Sequence, residues 1–423
     1  MKFVLLTQCY PPEVGGAQVL LGSLAAELKR HGHQVRVVTA LPNYPTGKIF
    51  AGYRGRLFIR EERDGLPVFR TWVYAAQSAS MIPRLTNYFS FCLSSLLSFW
   101  WIGKPDVIFV DSPPLFLGLT ALLLARLKGA RWVMNVSDLW PDAVADSGLV
   151  KSGFLLKLAR SLERFLYAGA DFVCSVTEGI CEILVKDKSV PKSKVLFLPI
   201  GVDTELFRPR LADRALLERY NLTGKLVFMY AGTLGHSYGL PVILKAADRL
   251  RDRPDIAFVF VGDGPVRQQL QTETAELGLT SVTFVGCVPL QDMPRWWSIC
   301  RGALVSLKDQ PIHDSARPSK SLPPMASGVP LIFSGAGEMA RIVSDAEAGL
   351  VVPPEQVEPL AECIRRIAND TALAQKLGEN GRRLCEREFG WHPLVQNWLN
   401  QLCCRTTQPD REGRAAPSRG LAT

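Results

Sequence analysis

Residues 2–40 read KFVLLTQCYPPEVGGAQVLLGSLAAELKRHGHQVRVVTA, and this stretch decides the class of fold. KFVLLT is a short aliphatic run that reads as a buried strand, Gln18 to Arg30 carries apolar residues at helical spacing, and QVRVVTA returns as a second strand. A strand joined to the next through a helix is the unit of a parallel sheet, because a parallel partner is reached only by a crossover of a dozen or more residues. Gly15 and Gly16 stand between the strand and the helix. They let the backbone approach a ligand, and the free N–H groups at the helix start favour an anion such as a phosphate. A plain strand-to-helix turn also accounts for them.

The same unit recurs along the chain. DVIFVDS, an apolar helix near Pro114 to Leu127, RWVMNV, DFVCSV and KVLFLP continue a first series that ends near Pro199. KLVFMYAG opens a second series with IAFVFVGDG, SVTFVG, GALVSL, VPLIFS and GLVV, interleaved with helices such as Leu240 to Arg253. A chain of 423 residues exceeds what one hydrophobic core organises. The expectation is an α/β protein with two Rossmann-like domains whose parallel sheets face a central cleft. The first domain spans 1–202 and the second 203–390, joined by the short polar linker IGVDTELFRPR. A helix at 391–404 crosses back to the first domain, and the polar, aperiodic remainder, 405–423, is a disordered tail.

Composition narrows the partners. The net charge is +9, and residues 1–200 hold 23 Lys and Arg against 15 Asp and Glu, so the front half carries +8 of it. No zinc finger, helix-turn-helix or aromatic RNA-binding signature accompanies this bias, so no nucleic-acid partner is expected and an anionic membrane surface is the better reading. Ten scattered cysteines without a CxxC pair read as reduced thiols, and the N-terminus lacks the pattern of an export signal. The expected location is the cytoplasm, peripheral on the inner face of the membrane. Nineteen uncharged residues, LTNYFSFCLSSLLSFWWIG, lie between Arg84 and Lys104. Asn87, Ser90, Ser94 and Ser98 make a polar stripe along them, with leucines and aromatics opposite. The segment 81–104 therefore reads as a helix packed on the first sheet, an interfacial membrane contact, or a span of minimal length.

In open α/β sheets ligands bind beyond the carboxyl ends of the strands. Asp138 and Trp140 follow RWVMNV, where Asp138 could contact an acceptor or donor hydroxyl or assist as a general base; a capped turn is the simpler alternative. In the second half, Gly232, Thr233 and Gly235 end one strand, and Gly262, Asp263 and Gly264 end the next; a turn of Gly and Asp needs no ligand to explain it. The most specific stretch is SLKDQPIHDSARPSKSLPPMASGVPLIFSGAGEMARI, residues 306–342. Ser319 and Lys320 sit near a helix start, where a lysine and backbone N–H groups can hold a diphosphate, and Gly335, Gly337 and Glu338 offer a close backbone and a carboxylate for hydroxyls. A solvated charged loop is the alternative. Neither GxGxxG nor GxxxxGK[ST] occurs, so hydride transfer and NTP hydrolysis lose support. No acidic pair lies in a metal loop, and His236 and His313 are not at ligand spacing, so no metal and no cofactor beyond a substrate nucleotide are expected.

These residues together resemble the family 4 retaining glycosyltransferases of GT-B fold, in particular the bacterial polysaccharide subgroup similar to fucosamine and fucosyl transferases of O-antigen and colanic-acid assembly. GGAQVLLGSLAAELKRHGHQVRVVTA is similar to the family's opening, SDLWPD to the subgroup's DLWP motif, and LPIGVDTELFRP to its interdomain segment. VFMYAGTLG, FVFVGDGP, VTFVGCVP, LVSLKD, RPSK, MASGVPLIFSGAGEMARIV, GLVVPP and LGENGR follow in family order. The resemblance implies a nucleoside-diphosphate sugar donor held mainly by the second domain and a lipid-linked glycan acceptor on the first. It also implies closure of the domains, retention of anomeric configuration and independence of divalent metal. Donor contacts then fall to Gly232, Thr233, Gly262, Asp263, Gly264, Ser319, Lys320, Gly337 and Glu338, with Lys320 and Asp138 nearest the chemistry. The chain departs from the family where an Arg and a Lys are usual, carrying Thr233 and Tyr238, and where two glutamates are usual, carrying Ser315 and Pro323; Ile200 replaces an asparagine. Two other readings share the architecture: a non-catalytic nucleotide-sugar-binding partner and a nucleotide-sugar 2-epimerase.

Overall fold

A computed structural model describes residues 1–407 apart from Val14, Pro45, 77–80 and 143–152. Most of the expected tail, 408–423, lies outside the described residues, and the last helix runs Trp391–Thr407. The first sheet contains β1 (Lys2–Leu6), β2 (Gln34–Ala40), β3 (Phe58–Arg63), β4 (Leu66–Thr71), β5 (Val107–Ser112), β6 (Arg131–Val136), β7 (Phe172–Ser175) and β8 (Val195–Phe197). Their order is β3-β4-β2-β1-β5-β6-β7-β8, parallel except that β3 pairs antiparallel with β4. The second sheet, wholly parallel, contains β9 (Leu226–Ala231), β10 (Ile256–Val261), β11 (Val282–Val285), β12 (Cys300–Ser306), β13 (Leu331–Ser334) and β14 (Gly349–Val352) in the order β11-β10-β9-β12-β13-β14.

Both sheets wind outward in two directions from a central strand, β1 in one and β9 in the other. The order therefore reverses between β1 and β5 and between β9 and β12, and such reversals leave crevices at the carboxyl ends. The central strands are buried on both faces and read as unbroken apolar runs, as IAFVFV does in β10, with every residue buried.

The chain crosses between domains twice, and the crossings touch. The Val202 N–H donates to the Phe389 carbonyl at 2.8 Å, and Val202 bridges Gly390. Beyond it, Trp391–Thr407 buries Trp398 in the first core, with its ring 6.1 Å from Phe3 and 5.7 Å from Phe109.

The uncharged segment forms the helix Met81–Ser95 and a 3-10 turn Leu96–Trp100, and no helix among the described residues is long and apolar enough to cross a membrane. Its polar stripe faces inward. Asn87 Nδ2 donates to the Tyr74 carbonyl at 2.8 Å, Ser90 Oγ accepts from the Tyr74 N–H at 2.8 Å, and Ser94 Oγ donates to the Trp72 carbonyl at 2.5 Å. These hydroxyls and amides satisfy the backbone that continues beyond β4, so the apolar side is turned out: Leu93 is 70% exposed and Trp100 84%.

Candidate active site

The residues expected at the second domain's strand ends divide into two groups. Gly262 and Gly264 follow β10 at positive φ, and a Cβ on either would strike the backbone of Gly232 or Leu234. The two turns bond each other, Leu234 N–H to the Asp263 carbonyl at 2.9 Å and Val266 N–H to the Leu234 carbonyl at 3.1 Å. Mutual packing thus explains those glycines without a ligand. Asp263 accepts from the Gly264 N–H at 2.8 Å, capping its own turn. Gly337, at φ 76°, makes room for the Asp314 backbone.

Gly232 is different. The atoms nearest a Cβ there are Cε and Nζ of Lys320, at 3.4 and 3.5 Å, so the turn after β9 faces the lysine directly. Exposed Ser319 and partly buried Lys320 open the short turn Ser319–Ser321 ahead of the helix Leu322–Ala326. Lys320 Nζ donates to the Tyr230 hydroxyl at 2.7 Å and lies 3.0 Å above the centre of the Tyr238 ring. The Tyr230 hydroxyl in turn donates to the Thr233 carbonyl at 2.7 Å. No carboxylate among the described residues pairs with Lys320, and burial pushes its amine down to about 6. The amine thus lies over an aromatic floor, where burial opposes its charge. Tyr238, which stands where the family carries a lysine, supplies that floor. Burial raises its phenol, with a smaller push from Tyr44 of the first domain.

Glu338 begins the helix Gly337–Asp345 after β13 and is 3% exposed. Its carboxylate points at the first domain. The N–H groups of Glu178 and Gly179, at the start of the helix Glu178–Lys186, donate to its two oxygens at 3.1 Å each, and Arg317 pairs with Oε1. The donor-hydroxyl role expected for Glu338 thus falls on a carboxylate that already joins the domains.

On the first domain the helix Gly16–Arg30 has Gly15 at its N-cap, with no capping side chain and no acid in the first turn, and the space beside Gly16 is open. This is the bare N-terminus that an anion would meet. Asp138 sits at the accessible rim beyond β6, where desolvation raises its carboxyl and the Leu139 N–H partly offsets it. Asp111, near the end of β5, was missed: it is buried, accepts from Asn135 Nδ2 at 2.8 Å and Ser137 Oγ at 3.0 Å, and burial raises it to about 6. The signal was an acid near the end of the otherwise apolar DVIFVDS. Glu13, also missed, is buried and accepts from the N–H groups of Tyr10, Asn43 and Tyr44 at 3.1, 2.8 and 2.8 Å, pinning the loop before Gly15. Among the described residues one His/Glu trio, Glu27, His31 and His392, is close enough to hold an ion; it joins the first helix to the last and not the strand ends.

Two sequence families meet on this chain. The Glycosyl transferase 4-like domain matches residues 15–201, and Glycosyl transferases group 1 matches residues 215–384. The putative colanic acid biosynthesis glycosyl transferase WcaI of Escherichia coli K12 is 29% identical over 416 residues, covering 95% of this chain and all of that one. The O-antigen chain mannosyltransferase C of Escherichia coli is 24% identical over 92% of this chain and 95% of its own. Among solved structures, sucrose-phosphate synthase from Thermosynechococcus elongatus superposes with a TM-score of 0.73 at 20% identity, covering 96% and 99% of the two chains. Anabaena HepE in complex with UDP-glucose does so at 0.70 and 15%, covering 96% and 100%. The structural likenesses establish the GT-B fold.

Proposed function

This chain belongs to the glycosyltransferase family whose 4-like and group 1 domains cover it, and we propose that it moves a sugar from a nucleoside diphosphate to a lipid-linked glycan at a membrane surface. Glycosyl transfer itself follows from the family, and the epimerase and non-catalytic readings find no support beside it. The observation that carries the donor reading is Lys320, held at the order reversal of the second sheet with its Nζ 3.5 Å from where a Cβ on Gly232 would stand. The relatives named for colanic-acid and O-antigen assembly and the neighbour bound to UDP-glucose agree with such a donor.

In the proposed reaction the bond from the anomeric carbon to the diphosphate breaks as the acceptor oxygen bonds to the same face. The acceptor proton passes to a leaving diphosphate oxygen. The Lys320 side chain and the backbone N–H groups of Ser319 and Lys320 stabilise the charge that develops there, so the chemistry needs no divalent ion. Membrane contact is supported by the outward row Ile82, Phe89, Leu93, Leu97 and Trp100 and by an apolar groove of about 700 Å³ lined by Trp72, Leu85 and Leu97, with Arg84 and Lys104 flanking the segment in sequence.

The test is a thermal-shift screen against UDP-, GDP- and dTDP-sugars, followed by turnover of any hit with a lipid-diphosphate acceptor and determination of the product's anomeric configuration. Stabilisation with transfer and a retained configuration is expected. Absence of any nucleotide-sugar response overturns the donor assignment, and an inverted product overturns the mechanism.

A further inference from the structure

Arg317 lies three residues before Lys320, in the loop that replaces the family's usual glutamates, and it does not point into the donor turn. Its guanidinium pairs with the buried carboxylate of Glu338 and lies 3.6 Å from the exposed carboxylate of Glu178. It also lies 5.2 Å from the ring centre of Phe197, at the end of β8, and 5.8 Å from that of Phe389, in the second crossing between domains. One side chain of the second domain thus contacts the acceptor domain, the interdomain crossing and the donor-side carboxylate together. The opposing surface is shaped to receive it. Gly179 packs so closely on Ser315 that an added Cβ would come within 2.5 Å of the Ser315 Cβ and 3.0 Å of its Cα. Glu338, with its oxygens bonded to the Glu178 and Gly179 N–H groups, sits where a helix N-terminus favours negative charge.

These contacts form only when the two domains are together, and they run through the loop that carries Lys320. We infer that Arg317 is a positioning residue. With Glu338 it clasps the 314–320 loop to the start of the helix Glu178–Lys186, so that Lys320 reaches the donor diphosphate in its working position only in the closed enzyme. The guanidinium suits the task because it accepts a carboxylate and stacks on two aromatic rings at once, which an ammonium does poorly. The buried Glu338 carboxylate is stable there because its charge is met by Arg317 and by two backbone donors. Closure in this chain therefore depends on a charge pair beside the site as well as on the sugar within it. The inference rests on the donor reading of Lys320, but the clasp itself is measurable without a donor.

The experiment uses the full chain and three variants: Arg317→Met, which keeps an apolar stem and removes the charge, Arg317→Lys, and Gly179→Ala, which wedges the same contact from the other domain. Solution scattering without ligand reads the clasp, calorimetry reads UDP-sugar affinity, and steady-state transfer separates kcat from KM. Arg317→Met and Gly179→Ala should both widen the particle, lower kcat at least tenfold and weaken donor affinity to a similar extent, since each withdraws Lys320 from the diphosphate; Arg317→Lys should recover part of both. Parent-like scattering and kcat in both disruptive variants would overturn the clasp. A loss of donor affinity in Arg317→Met with closure intact would make Arg317 a direct donor ligand and likewise overturn it. Widened scattering with parent-like kcat would leave the contact purely structural, refuting the positioning role. If the parent binds no nucleotide sugar but the variants still widen the particle, the donor reading fails and the clasp stands.

Discussion

Raising the pH from about 7 to about 9 should weaken binding of a nucleoside-diphosphate sugar roughly a hundredfold, because the protein must first protonate Lys320. In the free protein burial holds that amine at about 6, with its Nζ between the Tyr230 hydroxyl and the Tyr238 ring. A diphosphate brought against it supplies the counter-charge that burial withholds and returns the amine toward its ordinary value of roughly 10.4. Between the free and bound values, each pH unit costs about a factor of ten in affinity, and close to one proton is taken up per donor bound. Calorimetry near pH 8 in buffers of different ionisation enthalpy reads that proton directly, since a sugar diphosphate has no group of its own titrating there. Lys320→Met should bind weakly, with no uptake and no pH slope. The same linkage acts on stability. The folded value lies below the unfolded one, so between about 6 and 10 the unfolded chain binds more protons and stability rises with pH, by up to roughly 1.4 kcal/mol per unit. Lys320→Met should therefore melt higher than the parent at neutral pH. A parent whose affinity is flat over this range, with no buffer dependence of the heat, would refute the assignment of Lys320 to the diphosphate.

Three further outcomes are expected. Asp111→Asn should stabilise the chain at pH 7.5 by about 3 kcal/mol, because burial raises the Asp111 carboxyl to about 6 and ionising it there disfavours the folded state; the difference should vanish below about pH 3, where both states are protonated, in urea titrations at the two pH values. Trp398→Ala should cost roughly 3–5 kcal/mol and unfold the first domain preferentially, although the residue lies near the end of the chain, since its ring is buried against Phe3 and Phe109; hydrogen exchange of β1 and β5 checks this. Leu93→Glu with Trp100→Glu should abolish co-sedimentation with anionic vesicles while leaving the melting temperature within about 2 °C, as both side chains are largely exposed.

The alternation of strand and helix was legible because it depends on local spacing. The quoted strand runs formed strands, whereas β3 and β4 lay outside them, and the residues after β9, β12 and β13 were recognisable as site candidates from their place at strand ends. Orientation was less legible. The polar stripe Asn87, Ser90 and Ser94 was visible, but periodicity cannot say that it faces the protein, since that follows from unpaired backbone groups at Trp72 and Tyr74 remote in sequence. The turn Gly262–Gly264 looked like Gly232 in sequence, yet the first is explained by a neighbouring turn and the second faces a lysine. Glu338 was placed correctly after β13, but its partners are about 160 residues away across the domain boundary, beyond any local pattern.

The departures at the two glutamate positions have one physical consequence between them. A carboxylate at position 315, in the loop that carries Lys320, or at 323, in the helix after it, would help keep the ammonium charged; with Ser315 and Pro323 there, the buried amine lacks that counter-charge and burial lowers its pKa. The loss is accommodated sterically. Ser315 lets Gly179 of the first domain press against the loop, and Pro323 falls in the first turn of the helix Leu322–Ala326, where a missing N–H costs nothing. The Glu338 carboxylate beside the loop is neutralised by Arg317 within the domain junction. On the proposed reading, the donor diphosphate would supply the counter-ion that the buried Lys320 amine lacks. Restoring Ser315→Glu should then raise the Lys320 amine, flatten the pH dependence of donor binding and, by crowding Gly179, loosen the closed form. Affinity and turnover would move in opposite directions at high pH, a combination that simple loss of structure does not produce.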